Sequence, residues 1–131
     1  MRVLLDTHAF LWWLEGDRHL SRRARQVIGR SATVVYVSAA TAWELTTKAR
    51  LGRLPGAADV AADVLGAIQG QGFLPLDITA GHAQRAGWLP EDHQDPWDRM
   101  LIAQAQAATL SVVSNEVRFD QYGINRVCEI G

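Results

Sequence analysis

A single cysteine, Cys128, excludes an internal disulfide framework and a zinc site built on paired cysteines. The lone thiol suits a reducing compartment, so a cytoplasmic location is the expectation. No apolar run approaches the roughly 20 residues of a membrane helix, so no membrane is expected as a partner. The start carries Arg2 but no long apolar stretch ending at a small-residue cleavage site, which argues against a signal peptide. Lysine is almost missing: among the 13 basic residues Lys48 is the only one. A formal net charge of −1 excludes a protein that coats nucleic acid by charge alone. Any such contact must be local, or helped by a metal ion or a partner. Repeats, low-complexity tracts and linkers are absent, and 131 residues suffice for one core, so residues 1–131 read as a single domain.

What is present alternates between strand and helix. Val3, Leu4 and Leu5 form a continuous apolar run closed by Asp6, the pattern of a central strand in a parallel sheet. Residues 8–15 read as a short helix with Trp12 and Trp13. Neighbours on a helix diverge by about 100°, so one tryptophan is expected inside and the other on a partner surface. Ser21 caps a second helix over 22–30, rich in arginine. The β-branched stretch 33–37 reads as a strand, Ser38 as the cap of a helix over 39–50, and 57–69 as one alanine-rich helix. Strands are expected at 73–76, 111–113 and 126–130, with helices at 80–86 and 97–108. This alternation predicts an α/β fold, a parallel sheet covered by helices on both faces.

That arrangement brings acids to one edge. Asp6 follows the first strand, Glu44 sits in the helix after the second, Asp98 in the first turn of the helix before the fourth, and Glu116 just after the fourth. Right-handed crossovers carry the carboxyl ends of parallel strands to the same side, where ligands bind in open α/β sheets. Converging carboxylates repel unless a hard cation joins them, and oxygen-only ligation suits Mg2+, with Mn2+ as a substitute. Such an ion activates water and stabilises a phosphoryl transition state. Thr7 and Ser114 are placed to orient ligands by hydrogen bonding. The same spacing also serves Asp6 and Asp98 as helix caps and Glu44 as the partner of Lys48 four residues on. Arg22, Arg23 and Arg25 fit either a solvated helix face or a phosphate-contacting patch.

Three blocks are recognisable: LLDTHAFLWWL at 4–14, VSAATAWELTTKARLGRL at 37–54 and LPEDHQDPWDRMLIAQA at 89–105, with a tail match, SVVSNEVRFDQYG, at 111–123. Together they resemble PIN-domain proteins of the VapC toxin type, the ribonuclease half of a toxin–antitoxin pair. The resemblance implies a three-layer α/β/α sandwich with a parallel sheet of about five strands. It implies a magnesium-dependent endoribonuclease, an RNA substrate, a VapB-type antitoxin partner and a homodimer. The family's acids carry over onto Asp6, Glu44 and Asp98, with Asp6 and Asp98 holding the metal most directly. Glu44 is then a ligand through water or a general base. Glu116 stands where the family usually has aspartate, and orients the water or supports a second metal. Asp95 and Pro96 read as the turn into the helix. Arg99, in the same block as His93, reads as a structural support rather than a phosphate contact.

Three other readings fit parts of the chain. A phosphohydrolase of the haloacid-dehalogenase kind also opens with an aspartate after an apolar strand, but wants a second carboxylate two residues on, where this chain has His8. A receiver-like domain needs a phosphoacceptor after a middle strand, for which Asp77 is the one candidate, and a lysine after the last strand rather than Lys48 on a helix. A non-catalytic interaction module that keeps the PIN fold is favoured by Glu116 alone.

Overall fold

The computed structural model describes residues 1–90 and 95–127. Its strands are β1 (Arg2–Leu5), β2 (Val34–Ser38), β3 (Leu74–Leu76), β4 (Ser111–Val113) and β5 (Arg126–Val127). Its helices are α1 (Thr7–Glu15), α2 (Arg22–Gly29), α3 (Ala39–Arg50), α4 (Ala58–Ala62), α5 (Val64–Gly70), α6 (Ala80–Trp88) and α7 (Pro96–Ala108), with a 3₁₀ turn over Val117–Tyr122. The strands form one sheet in the order β3-β2-β1-β4-β5, and every pair is parallel.

The apolar run of β1 has its cause in this position. Val3 and Leu5 face one side, into a core shared with Phe10 of α1, Val27 of α2, Leu45 of α3 and Ile68 of α5. Leu4 faces the other, against Leu101 and Ile102 of α7, Phe119 and Ile124. A strand with helices on both faces cannot alternate apolar with polar residues. The expected three-layer α/β/α sandwich with five parallel strands is therefore found.

Helix α3 begins and ends where the sequence places it, and Ser38 caps it by accepting from Ala40 N at 3.0 Å. Ser21 caps α2 by accepting from Ala24 N, also at 3.0 Å. The single helix expected over 57–69 is corrected: the chain leaves helical geometry at Asp63 (φ −156°, ψ 78°), giving α4 and α5. The Asp63 carboxylate accepts from Gly66 N at 2.9 Å and starts the second helix. A Cβ on residue 66 would collide with that carboxylate, so a larger residue there makes the Asp63 side chain shift. Helix α6 runs on to Trp88, past the expected end at Ala86. Of the last expected strand, 126–130, only Arg126 and Val127 lie within the described residues, as does no part of 91–94, which includes His93.

Trp12 and Trp13 are both half-buried rather than split between core and surface. Trp13 packs on Phe73, centroids 6.0 Å apart, and its Nε1 donates to Gln71 at 3.0 Å. Trp12 stacks on His19 at 5.5 Å.

Candidate active site

Strand order reverses between β1 and β4: chain continuity leads from β1 towards β2 on one side, while β4 returns on the other. The crevice outside the carboxyl ends at such a switch point is where open α/β sheets bind ligands. Leu5 pairs with Val113 on one side and with Val37 on the other. The next residues, Asp6, Ser114 and Ser38, therefore reach the carboxyl edge at one level.

Asp6 is held from three directions. Its N–H donates to Val113 O at 3.1 Å, and its Oδ1 accepts from Ala9 N at 2.8 Å as the cap of α1. Its side chain also bonds the Ser114 hydroxyl. The residue is 6% exposed. Burial pushes its carboxyl up from 3.8 to about 6, against the Ser114 and Ala9 hydrogen bonds and the charge of His8; the Asp98 carboxylate pushes it further up. Asp6 is thus a buried helix cap at the carboxyl edge, and Asp98 is near enough for its charge to be felt.

Asp98 owes its place to the turn before it. Asp95 caps α7, accepting from Trp97 N at 2.9 Å and Asp98 N at 3.2 Å, with Pro96 in the first helical turn where a missing N–H costs nothing. Arg99 reaches across to the end of α6. Its guanidinium donates to Ala86 O at 2.7 Å and Leu89 O at 2.8 Å, tying the end of α6 to α7.

Glu44 is buried and engaged on both oxygens. Oε1 accepts from Thr7 Oγ1 at 2.5 Å, and Oε2 meets Lys48 Nζ at 2.5 Å. Thr7 Oγ1 also lies 3.2 Å from Thr41 Oγ1. Glu116 sits at the rim, its side chain 45% exposed and paired with Arg118 at 3.3 Å, while its N–H donates to Ser114 Oγ at 2.9 Å.

Of the four acids expected at this edge, Asp6 feels the charge of Asp98, while Glu44 is paired with Lys48 and Glu116 with Arg118. Among the described residues no three acids, histidines or cysteines stand together as a metal site. The arginine cluster is placed elsewhere. Arg22, Arg23 and Arg30 line a cavity with Met1, at the amino end of β1, across the sheet from Asp6. Arg25 donates to Asp17 O at 3.0 Å.

Two residues that sequence reading passes over support this edge. Gln104 is fully buried in α7; its Oε1 accepts from Ser38 Oγ at 2.6 Å and its Nε2 donates to Asp77 O at 3.3 Å. It fastens the helix that carries Asp98 to the carboxyl end of β2. Thr41 backs Thr7. A glutamine inside an otherwise apolar helical stripe is the one signal that could have pointed to the first.

The model of the PIN domain matches residues 3–125. The chain belongs to the PIN-domain family. Solved structures with the same fold include VapBC-1 from nontypeable Haemophilus influenzae (TM-score 0.68, 14% identity, 100% of both chains). Others are VapBC2 from Rickettsia felis bound to a promoter DNA fragment (0.66, 11%, 96% of this chain and 97% of that one) and a toxin–antitoxin complex from Klebsiella pneumoniae (0.64, 17%, 97% of each). No curated protein matches. The comparisons place the PIN fold over nearly the whole chain. Among the described residues no helix is long and apolar enough to cross a membrane.

The donor set suits a hard divalent ion. Asp6 supplies a buried carboxylate whose burial and the Asp98 charge both work against ionisation, a condition that a bound cation relieves.

Proposed function

We propose that this PIN domain is a metal-dependent endoribonuclease, the toxin of a VapBC-type pair, cutting RNA over the carboxyl edge of the sheet. The observation that carries the reading is the Asp6–Asp98 pair at the switch point, with burial and like charge raising the Asp6 carboxyl to about 6. Asp6 and Asp98 would hold Mg2+ or Mn2+. The bound ion would supply Lewis-acid stabilisation of charge developing on the phosphate. Ser114 keeps Asp6 oriented, and Asp95 and Gln104 fix the helix that presents Asp98. Glu44, once Lys48 lets go of it, takes a proton from the attacking water or positions it; Thr7 keeps its other oxygen in place. Glu116 at the rim is an outer support for water. A VapB-type antitoxin as partner and a homodimer as the working unit belong to the same proposal. The neighbours in fold, solved as toxin–antitoxin complexes, support the first.

Purified protein incubated with total RNA, first in a chelator and then with Mg2+ restored, tests the reading. Cleavage should vanish and return. Cleavage that survives exhaustive chelation contradicts the metal mechanism, and no cleavage of any RNA with Mg2+ present favours the interaction module.

A further inference from the structure

Where α3, α6 and α7 meet lies a mostly apolar groove of about 260 Å³, lined by Trp43 of α3, Ile78, Ala86 of α6, and Trp97, Arg99 and Met100 of α7 among others. Its wall is a tryptophan pair: Trp43 and Trp97 meet edge to face, centroids 5.7 Å apart and planes at 72°. Trp43 is 63% exposed, an unusual state for so large an apolar ring. Each tryptophan immediately precedes a site acid, Trp43 before Glu44 and Trp97 before Asp98. Lys48, which pairs with Glu44, also lies over the Trp97 ring with Nζ 5.5 Å from its centroid. The two rings and the ammonium thus stand together where α3 meets α7, each tryptophan one residue from an acid in the chain.

We propose that this groove takes an unpaired nucleobase of the RNA strand, stacked on Trp43, next to the phosphate that is cut. The proposal rests on the ribonuclease reading and adds to it a base subsite built on this chain's own Trp43. Three features select this occupant. A flat π-face left open suits stacking, which is sequence-tolerant and strong for single strands. The ammonium at the groove's edge complements the phosphate that any nucleotide carries with its base. The volume lies below the roughly 300–1,000 Å³ of whole-ligand pockets, which fits one ring system. An amphipathic protein helix instead needs apolar anchors spread over several turns and has no use for the cation.

Binding of a short labelled single-stranded RNA is measured in EDTA, so that no strand is cut, and compared with the same strand carrying an abasic ribose at each position in turn. One abasic position should weaken binding to the parent protein. Trp43→Ala should weaken binding of the intact strand about tenfold and erase the difference between intact and abasic strands. Trp43→Phe should keep most of both. Trp43 is exposed, so an unchanged melting temperature shows that each variant is folded. With Mg2+ restored, Trp43→Ala should raise KM and leave kcat within about twofold. Equal binding of intact and abasic strands by the parent, or parent-like binding by Trp43→Ala, overturns the proposal, including the case where only an antitoxin covers the groove. A parent that shows the base dependence and never cuts RNA leaves base docking standing and removes the ribonuclease reading. A parent that cuts without base dependence does the reverse.

Discussion

Lys48 Nζ stands 2.5 Å from Glu44 Oε2, four residues apart on α3, and this pair sets how many acids the crevice can offer an ion. The Glu44 side chain is 7% exposed and the lysine 26%. Glu44 is therefore a carboxylate with a cation beside it, whereas burial and the Asp98 charge both raise the Asp6 carboxyl.

Lys48→Met separates the two situations. Removing one partner of a buried pair strands the other charge, a loss of about 3–5 kcal/mol when both are deeply buried. The partial exposure of Lys48 reduces this to about 1–3 kcal/mol. The metal-free melting temperature should fall, and added Mg2+ should restore more stability to the variant than it adds to the parent, because Glu44 becomes free to answer the ion. Equal Mg2+ stabilisation of both proteins would place Glu44 outside the site.

Asp6 gives a pH dependence of fixed sign. Its folded carboxyl titrates at about 6 and its unfolded one at 3.8, so between those values the folded state binds more protons. Stability of the metal-free protein should therefore fall as pH rises through that window, by up to about 3 kcal/mol for two units. Asp6→Asn removes the charge and retains a good helix cap. Thermal melts in chelator from pH 4 to 7 should show a flatter profile for the variant and a higher melting temperature at pH 7. A lower melting temperature at pH 7 would make Asp6 chiefly a cap.

Arg99 is read as the clasp between α6 and α7. Arg99→Gln should cost about 2 kcal/mol through the lost charge-assisted bonds to Ala86 and Leu89 carbonyls, with and without Mg2+ alike. KM for RNA should stay near the parent value. Unchanged stability with a raised KM would make Arg99 a phosphate contact.

What could be read along the chain is what local chemistry decides. The buried β1 run, the Ser21 and Ser38 caps, the Asp95-Pro96 turn and the Glu44–Lys48 pair are each set within a few residues. The break at Asp63 was hidden because alanine-rich helical periodicity continues on both sides of it. The Ser38–Gln104 bond joins residues 66 apart, and the Thr7–Thr41 contact 34 apart, so neither has a local signature. The arrival of acids at the carboxyl edge follows from parallel topology. The partners that Glu44 and Glu116 take, Lys48 and Arg118, lie within four residues of them.

The central claim is that cutting occurs at the Asp6–Asp98 pair, and the cleavage rate of one RNA by Asp98→Asn tests it most directly, with Glu116→Gln beside it and Mg2+ saturating. Asp98→Asn keeps the shape and the turn of α7 but removes a ligand charge. The rate should drop at least about a hundredfold while the melting temperature holds, consistent with the loss expected for a disturbed metal site. Glu116→Gln, half-exposed and paired with Arg118, should fall far less. A folded Asp98→Asn protein that cuts at the parent's rate would contradict the account.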